Sequence, residues 1–118
     1  MNIREFYDTT SGNYEEAIGR LGNEKALLRF VKKFAGDPSF EELTEALMEE
    51  DPEEAFRAAH NLKGVCKNLA FASLAESASE ITELLRGQDN CREEAKLCYE
   101  KVKTTYENVI DAIVQLEP

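Results

Sequence analysis

Apolar residues recur along this chain at the three- and four-residue spacing of an amphipathic helix, and most helix breakers fall between the periodic stretches. Residues 13–21 form a short helical pattern ending at Gly22. Residues 24–35 repeat apolar side chains at 27, 28, 31 and 34, then stop at Gly36-Asp37-Pro38. Ser39 reads as an N-cap with Glu42 completing a capping box, for a helix through residue 49. Asp51-Pro52-Glu53-Glu54 is a strong start signal: a capping aspartate, proline in the first helical position, and acids facing the positive helix end. That helix should run to residue 70, a second from 72 to 86 before Gly87, and a last one, capped by Asn90 with Glu93, through residue 116. The short link between the first two of these long helices predicts an antiparallel hairpin. No segment alternates with period two, and no repeat is visible. The pattern predicts an all-α fold: an antiparallel four-helix bundle with additional short N-terminal helices.

Length and composition narrow the picture. The 118 residues suit one domain, 1–118, with a core of its own. A formal charge of -10 excludes the basic footprint that nucleic acid requires, and neither a basic lipid-binding helix nor a run of membrane-spanning length is present. Monomeric, cytoplasmic protein with a protein partner is the expectation. Cys66, Cys91 and Cys98 lack the clustered spacing of a disulfide framework or zinc site, so reduced thiols and no metal are expected, with Cys91 and Cys98 sharing a helix face as packing residues. Acidic runs such as those around Asp51 and Glu93 read as caps and solvated surface.

One stretch does not fit the bland pattern. Ala58-Ala-His-Asn-Leu-Lys-Gly64 holds the only histidine and puts a glycine inside a helix. With His60 at zero and about 100° per residue, Ala55, Ala58, Ala59, Leu62, Val65, Cys66 and Leu69 fall between about 140° and 260°. His60 therefore faces solvent. Lys67 and Lys63 lie about 20° and 60° to one side of it, Gly64 and Arg57 about 40° and 60° to the other, and Phe56 sits one turn earlier. No acid occurs between Glu54 and Glu76, so a cationic patch surrounds the imidazole.

A lone exposed histidine is more often solvated than functional; its neighbours change that reading. No carboxylate on the same helix orients the ring and Cys66 points to the core, so this is not a triad histidine. A neutral imidazole nitrogen is itself a nucleophile, and adjacent ammonium groups would stabilise phosphoryl oxygens. Glycine costs about 1 kcal/mol relative to alanine in a helix, and at Gly64 it would let another protein's backbone come close. Exposed Phe56 would add apolar docking area, unless it tucks under the N-terminal helices. No glycine-rich phosphate loop or kinase signature occurs, so ATP is not the direct donor.

His60-Asn-Leu62-Lys63-Gly64, followed by Asn68-Leu69, resembles the HxLKGxxxxL signature of histidine-containing phosphotransfer (HPt) domains. The preceding Asp51-Pro-Glu-Glu-Ala-Phe-Arg-Ala-Ala59, the hairpin through Leu84-Leu-Arg-Gly87 and the N-terminal half extend the likeness over most of the chain. Val65, Cys66 and Ala70 stand where such domains often carry small or polar residues and a second glycine. The resemblance implies a four-helix bundle in a two-component phosphorelay, with His60 as phosphoacceptor, Lys63 stabilising the phosphoryl group and Gly64 giving clearance. Arg57, Lys67 and Phe56 join as docking residues from the angular map. The implied partners are response-regulator receiver domains and a hybrid sensor kinase. No cofactor is expected, with Mg²⁺ held on the partner receiver domain only, and the chain would be a phosphoryl carrier rather than a turnover enzyme. The alternative is a non-phosphorylated helical adaptor using the same face.

Overall fold

The computed structural model describes residues 1–87 and 92–117, which form seven helices and no strand. They are α1 (Ile3–Thr9), α2 (Tyr14–Leu21), α3 (Glu24–Phe34), α4 (Ser39–Met48), α5 (Pro52–Asn68), α6 (Ala72–Leu85) and α7 (Arg92–Val114). The cap expected at Asn90, and Cys91, lie outside the described residues.

The expected bundle is formed by α4 to α7, with α5 packed between α4 and α6, and α7 against α6. Side chains from α4 and α7 close it. Phe40 stacks on Tyr106 with ring centroids 4.1 Å apart, and the Thr44 and Tyr99 hydroxyls are 2.8 Å apart. The start signal at 51–54 works as read: Asp51 accepts a hydrogen bond from the Glu54 N–H at 3.1 Å, with Pro52 opening α5.

Two local readings are corrected. Helix α1 was not expected, yet Ile3, Phe6 and Tyr7 have helical spacing and are buried, and Asn2 with Glu5 forms a full capping box. Conversely, Ser39 is no cap. Pro38 already has helical backbone angles and occupies the cap position without a side-chain bond, Ser39 is buried, and its N–H donates to Asp37 Oδ1 at 2.9 Å. Glu42, freed from a capping box, pairs with Arg57 on α5.

Helices α1, α4 and α5 end alike. Ser11, Glu50 and Ala70 have φ of 56°, 55° and 54°, and the following N–H groups return to the Tyr7, Ala46 and Cys66 carbonyls at 2.9 Å. This is the Schellman geometry, in which a left-handed residue lets two late N–H groups satisfy helix carbonyls. Glycine usually fills that position; at these three ends another residue does. The missing glycine noted at Ala70 therefore leaves the turn intact but strained.

The N-terminal helices secure that α5–α6 turn. The buried Tyr7 hydroxyl donates to the Leu69 carbonyl at 2.7 Å, and the Asn13 N–H donates to the Ala70 carbonyl at 2.9 Å. Gly12 makes this approach possible, since a Cβ there would lie 2.6 Å from Tyr7 Cδ1 and 3.0 Å from the Ala70 oxygen. Tyr14, Tyr7, Phe6, Phe71, Phe34, Tyr106, Phe40 and Tyr99 then form an unbroken series of ring contacts from the N-terminal helices across the turn to α7 and α4.

Candidate functional site: the exposed face of α5

Helix α5 is held by one face and presents the other. Ala55, Ala58, Ala59, Leu62 and Cys66 have no exposed surface, and Leu69 is buried just beyond them. Val65, at the edge of the arc, is half-buried. Fully burying a leucine such as Leu62 contributes about 1.5–3 kcal/mol, so the helix cannot rotate cheaply. Burial also pushes the Cys66 thiol far above its ordinary range, consistent with a packing role.

That fixed rotation puts His60 in solvent, together with Arg57, Gly64 and Lys67, while Phe56 and Lys63 are half-buried at its margin. A Cβ built on Gly64 meets nothing within 4 Å. No packing among the described residues therefore requires glycine there. Phe56 does not tuck under the N-terminal helices. Its ring lies beside the His60 ring, nearly parallel at 14° with centroids 6.1 Å apart, in the offset arrangement that aromatic pairs favour.

The patch is less purely cationic than its sequence. Glu42 of α4 and Glu54 both accept hydrogen bonds from Arg57, the latter through Nε at 2.9 Å and through Nη2. This pairing holds the Glu54 carboxyl below the ordinary carboxylate range and keeps Arg57 turned toward α4. The remaining positive charge lies on the α6 side of His60, at Lys63 and Lys67, where Glu83 feels the Lys63 charge and shares a groove with Lys67.

Two residues, Glu83 on α6 and Arg86 at its C-terminal cap, complete this side and were missed. Arg86 places its guanidinium carbon 5.0 Å from the centre of the Phe56 ring, within cation–π range. The same guanidinium donates from Nε and Nη2 to the two Glu83 oxygens, each at 3.1 Å. These bonds hold the Glu83 carboxyl low, with a smaller contribution from the Lys63 charge. A signal was available: in the expected antiparallel hairpin, Phe56 and Arg86 lie about equally far from the turn at Ala70.

An exposed imidazole with a lysine one turn later and open space beside it can attack an electrophile carried by a second macromolecule. One of three comparisons found a match. The family model for the Hpt domain matches residues 36–115, which contain all of α4 to α7. Neither the curated proteins nor the solved structures searched hold a match. No helix among the described residues is long and apolar enough to cross a membrane. Members of the matched family serve histidine phosphotransfer in phosphorelays and interact there with receiver domains and kinases. The chain belongs to the Hpt domain family.

Proposed function

We propose that this protein carries a phosphoryl group on His60 between the aspartates of receiver domains. A neutral ring nitrogen of His60 attacks the phosphorus of a receiver's aspartyl phosphate. The N–P bond forms as the P–O bond to the carboxyl breaks, and the electron pair of that bond leaves with the aspartate as carboxylate. Passage to a second receiver is the same exchange in reverse. Lys63 stabilises the equatorial phosphoryl oxygens, where charge accumulates in the transition state. Gly64 admits the receiver backbone, and Phe56, Lys67 and Arg57 border the docking face. The Mg²⁺ that such a step uses sits in the acidic pocket of the receiver, and a hybrid sensor kinase is the upstream source.

The observation that carries this reading is the pairing of His60 with Gly64. The histidine is exposed on a helix whose opposite face is buried, and no contact among the described residues requires the residue beside it to be glycine. The test is incubation with a phosphorylated receiver, scoring acid-labile, base-stable label. Wild type should label, His60→Gln should not, and Lys63→Ala should label slower by roughly tenfold or more. An unlabelled wild type that still binds the receiver would make the protein an adaptor instead.

A further inference from the structure

His60 and Lys63 leave α5 one turn apart, and both sides of the pair lead to one side chain at the C-terminal cap of the neighbouring helix. Going toward the N-terminus, the His60 ring lies against Phe56, whose ring is covered by Arg86. Going the other way, the Lys63 charge acts on Glu83, whose two oxygens are both taken by Arg86. The guanidinium suits this double task because it is flat enough to lie on a ring and carries N–H groups in a fork that matches a carboxylate. Lysine can place a cation over a ring but has neither the flat face nor the fork.

Resting on the phosphoacceptor reading above, we propose that Arg86 is a positioning residue for phosphoryl transfer: it restrains the His60 imidazole through Phe56 and keeps the Glu83 carboxylate from capturing Lys63. An imidazole on an exposed helix face samples several rotamers, and helix geometry leans residue 60 back over residue 56. A Phe56 ring held from above removes part of that freedom before the donor arrives. The second effect concerns Lys63. An unpaired Glu83 would compete with the incoming phosphoryl oxygens for the Lys63 ammonium, and a carboxylate already bound by Arg86 competes poorly. Misplacement of a reacting group by about 1 Å can cost on the order of 10²-fold in rate.

The test uses the whole protein and single-turnover labelling of His60, by phosphoramidate or by a phosphorylated receiver at saturation. With phosphoramidate, the ring nitrogen forms the N–P bond while the P–N bond of the reagent breaks and ammonia departs with a proton. This small donor has no docking surface, so a lost docking contact would leave its rate unchanged. Arg86→Ala should label on the order of tenfold slower at saturating donor. Arg86→Lys should retain part of the rate, because a cation still covers Phe56. Adding Glu83→Gln to Arg86→Ala should restore part of it, because the competitor for Lys63 is gone. Thermal melts of each variant check that folding is unaffected, and Phe56→Leu supplies an independent route to the same loosened ring.

Arg86→Ala labelling as fast as wild type would overturn the proposal. So would a loss confined to half-saturation by the receiver, or a double variant no faster than Arg86→Ala. A wild type unlabelled by both donors would instead remove the phosphoacceptor reading itself, which is a different result.

Discussion

At the scale of single residues, two backbone positions set stability against function in opposite ways. Gly64 lies in helical backbone with open space where a side chain would be. Gly64→Ala should therefore stabilise the protein by about 0.5–1 kcal/mol in chemical denaturation. The same methyl should slow transfer from a phosphorylated receiver and leave labelling by phosphoramidate almost untouched. Equal slowing with both donors would contradict a clearance role. Ala70 is the converse case, an alanine at φ 54° in a turn with no chemistry. Ala70→Gly should raise stability by about 1 kcal/mol with no effect on transfer. An unchanged or lower denaturation midpoint would mean that the turn is not strained.

Among the elements, α5 was the most legible. Its proline start, buried arc and exposed stripe follow from helical geometry, and the stripe divides as the angular map implies, with Arg57 going to α4 and Phe56 and Lys63 going toward α6. What could not be read from one helix was the charge its neighbours bring: Glu42, Glu83 and Arg86 are distant in sequence and reach α5 only through packing. The cap misread at Ser39 has another origin, since Pro38 adopts helical backbone angles before Ser39 and the serine is drawn into the core. The links between elements can be tested by pH. Glu54 is hydrogen-bonded by Arg57, so its folded-state pKa lies below the ordinary value of 4.5. Its contribution is thus present above about pH 4.5 and is lost as pH falls through the lowered value. Glu54→Gln should melt slightly below wild type at neutral pH, and the difference should shrink as the pH falls below the ordinary carboxylate range. Because both side chains are exposed, the effect should be small.

For the whole molecule, the family match leaves residues 1–35 aside, yet the core does not. Phe6, Tyr7, Leu27, Val31 and Phe34 are buried in the same cluster as Leu62 and Phe71, and Tyr7 and Asn13 satisfy carbonyls at the end of α5. A chain lacking residues 1–35 should lose its sharp thermal transition. Tyr7→Phe alone should cost about 1–3 kcal/mol, because it leaves the Leu69 carbonyl unsatisfied. If the shortened chain melted where the whole one does, the N-terminal helices would be ornament to the bundle. The series of aromatic contacts through this core has an optical consequence. The protein has no tryptophan, and its four tyrosines, at 7, 14, 99 and 106, all belong to that series and none to α5 or α6. Intrinsic emission therefore reports unfolding of the interior and is blind to the histidine face. A fluorophore placed on that face would report docking against a dark background, and both signals could be followed in one cuvette.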